Sequence, residues 1–407
     1  MSTRDVAPLA LASWTPVIDD WLATESRGHD LNLAGNPDLI PLGLGLPAPE
    51  LFPTAALQAA ASRLLVGRAR ALQYGAVPKA LAEHVVALMA ARGVRCSANQ
   101  VVLTNGAQQA MSLLAQLLVE PGQAVVLEEV CFPGLRWAVQ PREARLVTVP
   151  IDLTDGLTRG MDLDALEALL TEGLRPAFIY AMGVGHNPTG VSLGEDARQR
   201  LVELARRFRT PVLEDDAYGF LQYESAQPAI RALDEDWVLY VGSFSKILAP
   251  GLRVGWLVVP PALAARLSYM KSSAHLETAT FAQHLVSEYL DHEDIARHIE
   301  GICASYRHRR NTMLAAMAEH FPAGLRYTRP TSGMFVWIEL ALGIDTYELL
   351  DRSLREHQVM FFPGHSSAAT PQRPSGHCMR LCFSNASAEQ IAEGVKRLGT
   401  LLRGLPG

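Results

Sequence analysis

The sequence predicts an α/β protein built on an open sheet with helices on both faces. Three observations carry that expectation. Six short apolar runs end in glycine, proline or acidic residues and read as strands buried on both faces. Helical stretches lie between them, and after about residue 290 the texture changes to a long helix followed by a strand pair. Alternation of this kind places the ligand site beyond the strand ends.

In chain order the runs are Val101-Val102-Leu103, Ala124 to Leu127, Ala177 to Tyr180, Pro211-Val212-Leu213, Val238 to Val241 and Gly255 to Val259. Thr104-Asn105-Gly106-Ala107-Gln108-Gln109 follows the first and opens a helix. Between the fourth and its predecessor, Ala197, Leu201, Leu204 and Ala205 recur at three- and four-residue steps, which predicts a helix over Glu195 to Phe208. A second long helical pattern runs from Ile295 through His320. Gly333 to Ile338 and Met379 to Ser384 then read as a strand pair, and the chain closes on an amphipathic helix from an N-cap at Ser387, with Gln390 three residues on, to about Leu402. This C-terminal part reads as a separate α+β lobe. No repeat or long Gly/Ser linker separates it from the rest, so the second domain is woven from the same chain.

Composition narrows the function classes. A chain of 407 residues with 49% hydrophobic and 19% charged residues buries a sizeable core and divides into two domains. Its net charge of −6, without blocks of like charge, points away from nucleic acid and from a membrane surface. Cys96 to Val119 carries no formal charge, but its Asn and Gln residues argue against a membrane span. The apolar run from Pro8 to Trp14 is too weak for a signal peptide, so a cytoplasmic location is expected. Five scattered cysteines, with no C-x-x-C pair, suggest reduced thiols rather than a disulfide framework or zinc knuckle, and there is no G-x-S-x-G or H-E-x-x-H motif.

The chemistry concentrates in three segments. Ser243-Phe244-Ser245-Lys246 continues to Pro250-Gly251-Leu252-Arg253, so one lysine is boxed in by small residues and followed by an arginine seven positions on. Upstream lie His186-Asn187-Pro188-Thr189-Gly190 and Leu213-Glu214-Asp215-Asp216-Ala217-Tyr218. In order and spacing these resemble fold-type I pyridoxal-phosphate enzymes, and within them the class I/II aminotransferases of the aminoadipate/kynurenine branch. The resemblance covers the chain from about Ile40 to its end. It implies a large domain over residues 60–295 with a mostly parallel seven-stranded sheet, and a small α+β domain from residues 1–59, an N-terminal arm, and 296–407.

The resemblance also implies roles. Lys246 would form the Schiff base with the cofactor aldehyde and act as general base. Asp215, three residues before Tyr218, would face the ring nitrogen, with Tyr218 and Asn187 on the ring oxygen. Glu214 and Asp216 are rival carboxylates whose plain role is capping the following turn. Amides around Gly106, Ala107 and Gln108, with Ser243 and Arg253, would hold the phosphate. Ala107 stands where many relatives carry a hydroxyl. Phe132 would stack on the ring, or else serve as core. Arg380, in Met379-Arg380-Leu381, would take the substrate carboxylate in a two-pronged bond, helped by the Gly45 amide unless Gly45 only turns the chain. Arg27, Lys79, Lys271 and His275 remain for the substrate side chain.

Tyr74 resembles the tyrosine that reaches a neighbouring subunit's phosphate site, which implies a homodimer with shared sites. The loop after it, from Ala76 to Lys79, is shorter than in relatives. Ser332 replaces a usual glycine and Ser367 a common aromatic, pointing to a specialised substrate. Together these imply transamination between an amino acid and a 2-oxo acid by a ping-pong cycle. The same scaffold also supports elimination, γ-substitution, decarboxylation or oxidation. A further alternative is the cofactor-sensing domain of MocR-type regulators, which follows a basic winged-helix segment. Only about forty residues precede Ile40 here, and as a segment they are not basic. Absence of an arginine between Arg266 and Arg297 disfavours a short dicarboxylate substrate.

Overall fold

The computed structural model describes residues 38–66, 69–75, 78–152, 160–370 and 375–405. Most of the expected N-terminal arm, with Arg27, and residues 76 and 77 of the short loop lie outside the described residues.

Seven strands form the main sheet: β1 (Val101–Thr104), β2 (Ala124–Glu128), β3 (Arg145–Val149), β4 (Ile179–Ala181), β5 (Val212–Asp215), β6 (Val238–Ser243) and β7 (Gly255–Val258). Their order is β1-β7-β6-β5-β4-β2-β3. β3, β2, β4, β5 and β6 run parallel to one another, and β7 runs antiparallel to both β6 and β1. All six expected runs are strands of this sheet. The apolar pattern does not disclose β3, because an edge strand has an exposed Arg145 and half-buried middle residues in place of a continuous apolar run.

Alternation explains how the sheet buries both faces. Val126, Ile179, Ala181, Val212 and Val238 pack into one cluster, with Leu201, Leu204 and Ala205 of the Glu195–Phe208 helix. Their chain neighbours Val125, Leu127, Tyr180, Leu213 and Leu239 pack into the other cluster, on the opposite face. Each strand therefore stabilises two layers at once.

The C-terminal elements form a second, antiparallel sheet in the order Arg326–Tyr327, Phe335–Glu339, Cys378–Cys382, Phe362–Pro363. Helices Ile295–His320 and Ala388–Arg403 pack on each other beside it. The second starts at a capping box: Gln390 N donates to Ser387 Oγ at 3.2 Å and Ser387 N to Gln390 Oε1 at 3.0 Å.

The segment from residue 40 to 50 is tied to this C-terminal part. Ile40–Pro41 pairs in parallel with Val359–Met360, Cys382 N donates to the Leu42 carbonyl at 2.6 Å, and Ala48 N donates to the Tyr306 hydroxyl at 3.0 Å. Glu50 is ion-paired with Arg309. Between those anchors residues 44–46 cross the ends of the main sheet. No helix among the described residues is long and apolar enough to cross a membrane, and all five cysteines are free.

Candidate active site

The parallel strands deliver their C-terminal ends to one edge of the sheet. Residues leaving β1, β2, β4, β5 and β6 there include Gly106, Phe132, Asn187, Asp215 and Lys246. Because β7 runs the other way, its start lies at the same edge: Gly255 pairs with both Thr104 and Ser243. That antiparallel strand is why Arg253 joins groups that follow strands rather than precede them.

A cavity of about 390 Å³ opens at this edge. Every residue expected to hold the cofactor or the α-carboxylate lines it except Gly106 and Tyr74, whereas Lys79, Lys271 and His275, the described candidates for the substrate side chain, do not. Tyr74 is 77% exposed on this chain, with no described contact to the cavity. Lining residues that the sequence reading does not single out include Leu44, Leu46, Trp137, Met182 and Phe362.

The helix Gly106–Leu118 begins without a side-chain cap, so its first-turn amides are not taken up by a neighbouring side chain. Gly106 has φ +77°, and a Cβ there would lie 2.5 Å from Arg253 Nη2, so only glycine lets the guanidinium sit this close to the helix start. Arg253 Nη2 donates to the Asn105 carbonyl at 3.1 Å. Ser243 Oγ lies 2.9 Å from Ser245 Oγ and accepts from the Ser245 amide. The Gln108 side chain turns to the Gly134 carbonyl, at 2.7 Å, leaving its backbone amide as the group of interest.

Lys246 Nζ donates to the Gly45 carbonyl at 2.9 Å. The polarity at Gly45 differs from the expected one: the recorded contact uses its carbonyl toward Lys246, not its amide toward a carboxylate. Burial, reinforced by the positive charges of Arg380 and Arg253, lowers the Lys246 ammonium to about 8. Asp215 is buried, and burial raises its carboxyl to about 6 against the opposing pull of hydrogen bonds from Tyr180 and the Ala217 amide. Burial likewise pushes up the Tyr218 phenol, which is hydrogen-bonded to the Asn187 side chain.

The rival carboxylates do not cap the turn after β5, contrary to the expectation for them. Successive strand residues point to opposite faces, so Glu214 and Asp216 leave the cavity side. Glu214 accepts backbone amides of Ile230 and Arg231 at 2.7 and 2.9 Å. Asp216 is paired with buried Arg92 at 3.0 Å and accepts from the Tyr240 hydroxyl at 2.9 Å. The turn amide of Ala217 is taken by Asp215 itself, at 3.3 Å. Lys271 is likewise a structural group, its buried ammonium bonded to the Leu103 carbonyl at 2.9 Å. Lys79 is exposed and paired with Glu83.

At the other end, Arg380 lies buried between the Phe335 and Phe362 rings, 4.3 and 4.2 Å from their centroids. Nη1 donates to Asn187 Oδ1 at 2.7 Å and Nη2 to the Gly43 carbonyl at 2.8 Å. Nε has no partner among the described residues, and no ion pair to a carboxylate is recorded for the guanidinium among them. A buried arginine held this way suits an anionic partner. Ser332 Oγ, in place of the usual glycine, lies 2.7 Å from Ser192 Oγ.

The donors fit pyridoxal phosphate on this chain's own geometry. An uncapped helix start beside an arginine suits the phosphate, a buried carboxylate suits a cationic ring, and an amine of lowered basicity suits an aldehyde.

The model of the aminotransferase class I and II family matches residues 37–398. The chain is 36% identical over 387 residues to aromatic-amino-acid aminotransferase 1 of Thermococcus litoralis, covering 92% of this chain and 90% of that one. It is 37% identical over 383 residues to 2-aminoadipate transaminase of Thermus thermophilus, covering 92% and 93%. The solved α-aminoadipate aminotransferase of Thermus thermophilus, in complex with N-(5'-phosphopyridoxyl)-L-leucine, superposes with a TM-score of 0.84 at 36% identity, over 90% of this chain and 93% of that one. Sequence and fold agree across nearly the full length, and the chain belongs to the class I and II aminotransferases, enzymes that depend on pyridoxal phosphate.

Proposed function

We propose that this aminotransferase works on amino donors with large, neutral side chains and that the cavity residues divide the task by position. Bound there, pyridoxal phosphate supplies an aldehyde that carries the amino group and a cationic ring that accepts electrons. The amides of Ala107 and Gln108, with Ser243 and Arg253, hold the phosphate by helix-start polarity and charge. Phe132 flanks the ring, Asp215 faces the ring nitrogen, and Asn187 and Tyr218 hold the ring oxygen. Lys246, neutral above about pH 8, takes the proton from the substrate α-carbon and returns it one atom away. Arg380 grips the α-carboxylate.

One observation carries this division: Lys246 and Arg380 line the same cavity, and the buried Nε of Arg380 has no partner among the described residues, which leaves it as a donor for a carboxylate. The remaining wall is apolar, from Leu44, Leu46, Trp137, Met182 and Phe362. Of the side-chain classes named by the relatives, aromatic and aminoadipate, this lining favours the aromatic one, because a second carboxylate would lose its water without a cation to replace it. A steady-state panel of amino donors tests the reading. Phenylalanine, tryptophan or leucine should exceed aspartate in kcat/KM by about a hundredfold, the order of a few kcal/mol. Aspartate as the best donor would contradict it.

A homodimer is part of the same proposal. Tyr74 and Leu72 are exposed, and the Gly75 amide is tied at 3.3 Å to Glu277, next to exposed Leu276, so apolar groups gather where a second copy would cover them. Free thiols at all five cysteines suit a reducing compartment such as the cytoplasm.

A further inference from the structure

Asp215 is approached from every side by named groups. Tyr180, on neighbouring β4, donates its hydroxyl to Oδ2 at 2.8 Å, and the Ala217 amide donates to Oδ1 at 3.3 Å. His186, in the loop after β4, adds a favourable potential and is itself fixed between Glu128 Oε2 at 3.0 Å and Thr189 Oγ1 at 2.8 Å. Asp216, the next residue after the strand, repels the charge but is turned away to Arg92. Tyr218 and Lys246 stand on the cavity side.

Tyr180 differs from the other groups in being wholly buried with its ring in the core, yet aiming its single polar atom at the carboxylate. Burial keeps the phenol protonated well above its ordinary range, so it donates at every working pH. A carboxylate on a short side chain rotates freely unless both oxygens are engaged. Here one oxygen is taken by the strand's own turn and the other by the next strand. The same carboxylate residue lines the cavity.

We propose that Tyr180 is a positioning residue for the reaction: its hydroxyl fixes the orientation of the Asp215 carboxylate and stabilises its charge toward the ring nitrogen of bound pyridoxal phosphate. The proposal rests on the reading that Asp215 faces that nitrogen. Tyr180 never touches the cofactor in this account. Its effect passes through one hydrogen bond.

A matched control exists on β6, the strand on the other side of β5. Tyr240 is equally buried and donates to Asp216 at 2.9 Å. Removing either hydroxyl deletes one buried phenol–carboxylate bond, but only Tyr180 is connected to the cavity side.

The experiment compares dissociation constants of pyridoxal phosphate and its 1-deaza analogue, whose ring has C–H in place of nitrogen, on full-length protein freed of cofactor. The ratio of the two constants reads the Asp215–nitrogen interaction and ignores general damage. Tyr180→Phe should shrink the ratio by about tenfold, as expected for loss of a charge-assisted hydrogen bond, with deaza binding within about twofold of wild type. Tyr240→Phe should leave the ratio unchanged. Tyr180→3-fluorotyrosine keeps the ring and makes the hydroxyl a stronger donor, so it should enlarge the ratio and covers the case in which Tyr180→Phe does not fold. An unchanged ratio in the Tyr180 variants, or equal weakening of both ligands, overturns the proposal. If wild type shows no preference for the nitrogen ring, or Asp215→Asn does not erase it, the reading of Asp215 itself fails instead.

Discussion

Arg380 Nη1 donates to Asn187 Oδ1 at 2.7 Å, joining a strand of the C-terminal sheet to the loop after β4 across 193 positions of sequence. The bond orients the Asn187 amide, leaving its nitrogen for the Tyr218 phenol with which it is hydrogen-bonded. Arg380, Asn187 and Tyr218 are therefore one connected unit. In the proposed division of roles, a substrate gripped by Arg380 would be referred directly to the cofactor position.

Replacing Arg380 by lysine should not preserve function, because an ammonium cannot reproduce the planar fork held between Phe335 and Phe362. A hydrogen bond to a charged group is worth about 1.5–3 kcal/mol, so kcat/KM for the amino donor should fall roughly tenfold to a hundredfold. The affinity for pyridoxal phosphate, measured by equilibrium dialysis, should change little.

The two adjacent aspartates should separate cleanly by measurement. Asp215→Asn removes the charge facing the ring nitrogen, and the single-turnover rate with α-deuterated donor should fall on the order of a hundredfold, about 2.7 kcal/mol. Asp216→Asn should spare that rate but leave buried Arg92 without its anion, costing roughly 3–5 kcal/mol of fold stability. Thermal denaturation and single-turnover kinetics on both variants decide it. The reverse assignment of effects would shift the site by one residue.

Lys246 carries a pH signature. Its ammonium is lowered by burial to about 8, against 10.5 in an unfolded chain. Between those values the unfolded protein binds more protons, so stability of the cofactor-free protein rises with pH there, and below about 8 the full cost is present. Lys246→Met should therefore raise Tm at pH 7, with the gain shrinking from pH 8 toward 10. The gain is bounded by roughly 3 kcal/mol, less for the partial exposure of this side chain. A gain that persists unchanged at pH 10 would show that charge burial is not its origin.

Tyr74 supports a prediction about assembly. If its phenol serves a neighbour's phosphate site, Tyr74→Phe should weaken cofactor binding about tenfold, the loss of one hydrogen bond to a charged group, and dilution should weaken it further as the dimer dissociates. Sedimentation that finds a fully active monomer at assay concentration would contradict this.

Much of the fold is legible because its elements are regular. The helices Glu195–Phe208 and Ile295–His320 have the expected bounds, since their periodic apolar stripes end at turn residues. The strand β3 is not legible, because at a sheet edge Arg145 and Thr148 interrupt the apolar run. In the site, motif spacing brings Lys246, Asp215, Asn187 and Arg253 to one cavity, but it does not disclose Tyr180, which hides in a buried strand. A tyrosine inside an apolar run is the available signal, since a buried hydroxyl needs a partner. Nor does spacing reveal that Glu214 and Asp216 serve the far face. That follows only once Asp215 is known to point at the cavity.

Lys246 is the residue proposed to carry the cofactor. Borohydride reduction of the loaded enzyme followed by peptide mass spectrometry tests this most directly. The pyridoxyl adduct should appear on the peptide containing Lys246 and be absent from Lys246→Ala. An adduct on Lys271, whose amine is bonded to the Leu103 carbonyl outside the cavity, or on exposed Lys79, would contradict the site described here.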